Sequence, residues 1–321
     1  MVFKHYRTLL SSENQMIYDI LYTGIKELNK AIKFPSIEEN DLQKIMNYLF
    51  LDNPVFFYFR QYSYVIYSNE TVLTPNYLYS DEQIKLYLNE IGRLTKVFKN
   101  TKGLSDYDFI LYINGLFKKK VVYNNDESFE CHSIVGSLIR KSAVCDAISK
   151  LFKYVCDLNN IPCIVVEGNA KTTYNSPDYG GHAWNKVFVD GSWSHLDLTY
   201  NMTTGSTFVR HDYCFLTDEE MASSHTMDHD DKLLCNDKTL NVFRRFNLVM
   251  NNQTDLKEYI KKCLEEKRDM LEFKLPKAKN IEEAIDKVVN VTEKAMIEKN
   301  IARAFKVEYN LDQLIFFILF K

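Results

Sequence analysis

Apolar positions along this chain change period several times, and each change marks a new element. Ile17, Ile20, Leu21, Ile25, Leu28 and Ile32 recur at helical spacing behind Ser12-x-x-Gln15, a capping-box pattern, and the stripe stops at Pro35. A second helix is predicted over 38–51. Phe57, Phe59, Tyr62 and Tyr64 then alternate around a turn at Ser68-Asn69, which predicts a hairpin, and a third helix follows over 81–98. Phe109, Ile110, Ile113, Leu116 and Phe117 place a helix over 106–120 whose terminal lysines complement its dipole. Ile148, Leu151, Phe152, Val155 and Leu158 mark another that starts at Cys145 and closes at Asn159-Asn160, ahead of Pro162.

Period two then takes over. Residues 163–168 read as a strand, and 169–181 (NAKTTYNSPDYGG) as a loop whose Tyr179, Gly180 and Gly181 are expected to border a substrate groove. Asp190-Gly191 is a two-residue hairpin turn between aromatic and β-branched runs. That turn sets Val189 opposite Ser192, Phe188 opposite Trp193 and Lys186 opposite His195, so His182 and Asp197 share a face one diagonal step apart. A shift of one residue would separate them. Beyond residue 241 the pattern predicts strand, helix, strand, helix, strand, strand, with Phe246, Leu248 and Met250 as the first strand. Three regions result: a mostly helical one over 1–104, a core over 105–238, and a small α+β domain, ferredoxin-like in its order, over 239–321. The last carries no chemical motif and reads as a structural appendage, with self-association as its alternative.

Composition narrows the picture. A net charge of −3 gives no basic footprint, which argues against nucleic acid as a partner. The longest apolar run, Leu314 to Phe320, is too short to span a bilayer, and the first residues lack a secretory h-region. Seven cysteines without a CxxC spacing fit neither a zinc ribbon nor a disulfide framework; the expectation is a cytoplasmic, reduced protein with one reactive thiol. The 21 Tyr and 21 Phe read mainly as core, with a cleft wall in the first hundred residues as the alternative.

The candidate chemistry is nucleophilic. Cys145 falls in the first turn of its helix, where free N–H groups and the dipole favour a thiolate. His182 lies within reach of Asp197, which can hold the imidazole in one tautomer. His195 shares that face but is expected to pair with Lys186, and the Cys131-His132 pair lacks a third partner, so both read as structural. His225 and His229 have the i, i+4 spacing of helical metal ligands, but no Glu stands beside His225, and neither a metal nor a cofactor is expected.

Three segments carry a family resemblance. Ala143-Val144-Cys145-Asp146, His182-Ala183-Trp184-Asn185 and Trp193-Ser194-His195-Leu196-Asp197-Leu198-Thr199 resemble the core motifs of the transglutaminase-like superfamily of papain-type cysteine enzymes, in a bacterial-type form. The likeness covers roughly residues 105–230. It implies an α+β, papain-like core with the cysteine helix packed on an antiparallel sheet. It also implies a triad of Cys145 as nucleophile, His182 as general base and acid, and Asp197 as its orienter. The expected activity is hydrolysis or acyl transfer at a peptide or glutamine-type carboxamide through a thioester, with a protease-like reaction on a protein or peptide substrate favoured. The alternatives are a non-catalytic peptide- or glycan-binding module on the same core and an arylamine-acetyltransferase-like enzyme.

Overall fold

The computed structural model describes residues 2–173, 176–203, 207–276 and 281–321. After a short α1 (His5–Thr8), α2 (Ser12–Lys26) begins behind Ser11, whose Oγ accepts the Asn14 N–H at 3.2 Å. The cap is thus one residue earlier than the Ser12-Gln15 spacing suggests, and Gln15 donates instead to the Leu10 carbonyl. The helix also ends sooner than its apolar stripe. Leu28 takes a left-handed φ of 59° and Ile32 falls in β1 (Ile32–Pro35), so helix and strand bury consecutive parts of one stripe.

α3 (Glu39–Asp52) precedes the expected hairpin of β2 (Phe59–Ile66) and β3 (Glu70–Tyr77), and β1 joins the far side of β3 in an antiparallel sheet ordered β1-β3-β2. α4 (Asp81–Leu94) carries a complete capping box between Ser80 and Gln83. This region is bound to the core by its first residues. Buried Asp52 accepts the N–H groups of Tyr6 and Arg7, the Tyr6 hydroxyl donates to the Val165 carbonyl, and Lys153 donates to the Phe3 carbonyl at 2.9 Å. One continuous set of buried apolar side chains runs from Tyr6 through the central sheet.

The centre is an antiparallel five-stranded sheet, ordered β7-β6-β5-β4-β8: β4 (Cys163–Lys171), β5 (Tyr179–Val189), β6 (Ser192–Leu196), β7 (Cys214–Leu216) and β8 (His225–Met227). α5 (Asp106–Lys120) flanks it, and α6 (Cys145–Leu158) packs on β4 and β5. The fold is α+β, with the cysteine-bearing helix against an antiparallel sheet. The hairpin keeps its expected register, Val189 with Ser192, Phe188 with Trp193 and Lys186 with His195, because Asp190 (φ 49°) and Gly191 (φ 87°) both adopt the left-handed turn.

The loop after β4 is shorter than its composition suggests. β4 continues to Lys171 and β5 starts at Tyr179, leaving 172–178, of which 174 and 175 lie outside the described residues. The polar and small residues there are strand because both edges are satisfied. Gly168, Asn169 and Ala170 pair with β5 on one side and with Met227, Thr226 and His225 of β8 on the other.

α7 (Leu198–Thr203) follows β6, α8 (Asp218–Met221) precedes β8, and α9 (Val242–Arg245) leads into the last region. The strand expected across 246–250 reduces to a single bridge, Val249 to Lys274. Asn247 is left-handed (φ 56°) and Phe246 is exposed, so the apolar alternation follows a helix end rather than a sheet face. α10 (Gln253–Glu265), β9 (Met270–Lys274), α11 (Ile281–Glu298), β10 (Phe305–Asn310) and β11 (Ile315–Phe320) complete the chain. Among the described residues the sheet here has three antiparallel strands, ordered β10-β11-β9, in place of a four-stranded ferredoxin-like one. Its β10–β11 turn reaches back to the central sheet. Asp312 pairs with Lys171, Gln313 donates to the Glu220 carbonyl (2.9 Å) and to Ser223 Oγ (3.0 Å), and Asn310 donates to Asp212 (3.0 Å). Among the described residues no helix is long and apolar enough to cross a membrane.

Candidate active site

Cys145 is the first residue of α6. Extended Val144 caps the helix with its backbone, donating its own N–H to the Cys131 carbonyl at 3.0 Å, and no side chain caps the first turn. The thiol therefore sits at the positive end of a 14-residue helix, whose first turn also carries Asp146, paired with Lys150 at 2.8 Å. Cys145 is partly exposed, while the other six cysteines are buried.

His182 enters from β5 and Asp197 from the end of β6. His182 Nε2 lies 2.7 Å from Asp197 Oδ2, and Asp197 Oδ1 accepts the Tyr200 N–H at 3.0 Å, fixing the carboxylate at the start of α7. Asp197 is completely buried. Burial alone would raise its pKa, but the His182 charge and the bonds from His182 and His225 drive it well below the usual carboxylate range. Burial opposes a charged His182 as well. The Asp197 carboxylate overrides it, a hydrogen bond with Cys145 adds in the same direction, and the imidazole pKa is raised to about 10. With Nε2 taken by Asp197, Nδ1 is the nitrogen left for the thiol. The structure thus brings Cys145, His182 and Asp197 together at one place.

The strand of His182 is locked to the helix of Cys145. Asn185, three residues further along β5, donates from Nδ2 to the carbonyls of Ser149 on α6 and Ile164 on β4, both at 3.0 Å. Cys145 and His182 line a cavity of about 540 Å³ with Tyr123, Lys171, Thr199 and Tyr200. Gly180 and Gly181 also border it, whereas Tyr179 lies exposed outside its lining. Lys171 and Asp228 donate their N–H groups to the carbonyls of Ser224 and Glu167, so odd-numbered β4 residues face β8 and even-numbered ones face β5. By the same alternation His182 and Gly180 bond to β4, while the N–H and C=O of Gly181 point to the opposite edge. β6 pairing stops at Asn185, short of that edge.

His225, which the sequence offered only as half of a metal-ligand spacing, joins the site through Asp197. It begins β8, so the His225/His229 pair is not on a helix, and its Nε2 lies 3.1 Å from the Asp197 oxygen that also binds His182. Ser224 Oγ is 2.8 Å from its Nδ1. Burial lowers its pKa, which leaves a neutral ring that donates Nε2–H to Asp197 and accepts the Ser224 hydroxyl. No local spacing links residue 225 to 197; the contact depends on a three-residue edge strand beside β4.

His195 lies away from the cavity. Trp184 Nε1–H donates to its Nδ1 at 3.0 Å and its Nε2 lies 2.8 Å from Asp218 Oδ1, while Lys186, its cross-strand neighbour, binds Asp231 at 2.9 Å instead. Cys131 is buried and His132 lies 3.7 Å from Asp146. Phe50, Phe57, Phe59 and Tyr62 line a second cavity, of about 310 Å³, beside Asp146 and Lys150, separate from the Cys145 cavity. Two groups bring three metal-capable donors within 4.8 Å, His182 with Asp197 and His225, and His195 with Asp218 and Cys235. In both, the imidazole nitrogens that face the carboxylate already hydrogen-bond to it.

Residues 96–198 match the family model of the Transglutaminase-like superfamily. The human kyphoscoliosis peptidase is 31% identical over 84 residues, which is 23% of this chain and 13% of that protein. The Lim and transglutaminase domain protein ltd-1 of Caenorhabditis elegans is 24% identical over 209 residues, covering 56% of this chain and 29% of its own length. The chain thus spans under a third of either relative. A solved TGase crystal structure is similar over 56% of this chain and 53% of its own, at 14% identity and a TM-score of 0.34.

Proposed function

We propose that this protein is a transglutaminase-like cysteine enzyme that cleaves a peptide or glutamine-type carboxamide bond, with Cys145 as nucleophile, His182 as general base and acid, and Asp197 as orienter. The observation that carries the reading is the 2.7 Å bond from His182 to a fully buried Asp197, with Cys145 lining the same cavity as His182. Sulfur attacks the carbonyl carbon with the proton already on His182, whose raised pKa keeps it an imidazolium near neutral pH. The imidazolium then returns the proton to the departing amine, leaving a thioester. Water attacks that thioester, giving its proton to His182, and the acid leaves with the thiol restored. The Cys145 N–H at the helix start is one oxyanion donor, a type of contact worth about 3 kcal/mol.

The outward N–H and C=O of Gly181 offer an extended substrate a strand to pair with, and the absence of side chains at Gly180 and Gly181 lets that strand come close. Hydrolysis is favoured over transfer to an amine by the relative named as a peptidase. The test is iodoacetamide labelling near pH 6, followed by mass analysis of a peptide library incubated with and without a primary amine. Cys145 should label first of the seven cysteines, and Cys145→Ala should abolish product formation. Labelling of Cys145 no faster than of the buried six would overturn the reading, and products carrying the amine would move it to transfer.

A further inference from the structure

We infer that His225 is a positioning residue for the reaction: its Nε2–H fixes the Asp197 carboxylate in the plane where that same oxygen can support His182, an assignment that rests on the proposed cysteine chemistry. The Tyr200 N–H holds Oδ1, but the plane of the carboxylate about its Cβ–Cγ bond depends on what holds Oδ2, the oxygen that supports His182. His225 holds that oxygen, at 3.1 Å beside the 2.7 Å bond from His182. The His225 ring is itself fixed. Ser224 occupies Nδ1, Trp184 packs edge-on at 5.0 Å, and Tyr200 and Tyr213 lie at 4.9 and 5.5 Å. With Nδ1 occupied by a hydroxyl proton, the ring's own proton is on Nε2 and faces the carboxylate.

The charged and titratable groups that face His225 are Asp197 from the end of β6, His182 from β5, Asp312 from the β10–β11 turn, and the phenols of Tyr200 and Tyr213. Asp197 dominates these, since it alone hydrogen-bonds to Nε2. Freed of His225, the carboxylate loses its alignment with His182, and the imidazolium beside Cys145 loses support.

Alkylation of Cys145 by iodoacetamide across pH 5–9 reads this without any known substrate. His225→Ala should slow alkylation at pH 6 by roughly tenfold and move the acidic limb of the profile upward by about one pH unit, while the rate at pH 9 stays near wild type. His225→Gln, which keeps a donor directed at Asp197, should restore most of the wild-type profile. If the Ala variant does not fold, His225→Asn, whose amide is too short to reach, takes its place in the same comparison. A folded Ala or Asn variant with the wild-type profile overturns the assignment, as does a folded Gln variant as impaired as the Ala one. Failure of the underlying reading looks different: wild-type Cys145 would then show no labelling advantage at pH 6.

Discussion

Asn185 on β5 donates to the Ser149 carbonyl on α6 at 3.0 Å, one helical turn beyond Cys145 and three residues beyond His182. This bond fixes the strand that carries His182 against the helix that carries Cys145. Its second bond, to Ile164, ties both to the neighbouring strand. Asn185→Ala removes two buried hydrogen bonds and should cost about 1–3 kcal/mol of stability. It should also reduce Cys145 labelling at pH 6 on the order of tenfold, since small displacements of positioned groups are costly. Urea unfolding and alkylation kinetics measure the two effects, and an unchanged alkylation rate would show that the lock does not set the site.

The stability of the protein should depend on pH through His182 and Asp197 in opposite senses. The His182 pKa is raised from 6.5 to about 10, so its contribution is complete below pH 6.5 and is lost as pH rises through about 10. The Asp197 pKa is lowered from 3.8, so its contribution is complete above that value and is lost as pH falls through the depressed one. Both act fully between about pH 4 and 6.5. The stability difference between wild type and Asp197→Asn should therefore be largest near pH 5 and shrink toward pH 10. Denaturant unfolding at pH 5, 8 and 10 checks this, and a constant difference would refute it.

Gly181→Pro removes the outward N–H of β5 without touching the thiol. At an edge position proline is tolerated by a strand. The variant should lose about tenfold or more in kcat/KM for peptide substrates, a cost of roughly one hydrogen bond plus crowding. Iodoacetamide labelling of Cys145 should stay at the wild-type rate. Equal loss in both assays would place the damage in the fold instead of the docking edge.

Gly168 is the close approach that admits β8. A Cβ there would lie 2.0 Å from the Thr226 carbonyl oxygen and 2.9 Å from the Trp184 ring. Gly168→Ala should thus cost about 1–3 kcal/mol and push β8, with His225, away from Asp197. Amide exchange at Thr226 and Asp228, which pair with β4, should quicken while the hairpin of β5 and β6 remains protected.

Much of this site was legible because its key distances are local. The Asp190-Gly191 turn fixes the register that brings His182 to Asp197, and the apolar stripe from Ile148 to Leu158 fixes where the helix of Cys145 begins. What the residues alone could not give depends on distant pairing. His225 reaches Asp197 only because β8 adds to the edge of β4, and that strand is three residues long with two exposed positions. Residues 169–171 and 179–181 look like loop by composition and become strand once β8 and β5 satisfy their backbone. Ile32 and Leu248 failed for the opposite reason. Their apolar spacing continues across a chain reversal at Leu28 and Asn247, which periodicity cannot see.

The β10–β11 turn has a practical corollary. Its Asp312, Gln313 and Asn310 hold Lys171 on the cavity rim, Glu220 and Ser223 on the approach to β8, and Asp212 ahead of β7. A gene trimmed to the superfamily match at residues 96–198 would keep Cys145, His182 and Asp197. It would nonetheless discard the scaffolding that steadies them. Inactivity of such a shortened product would report a collapsed frame, and it could not be read as evidence against the cysteine.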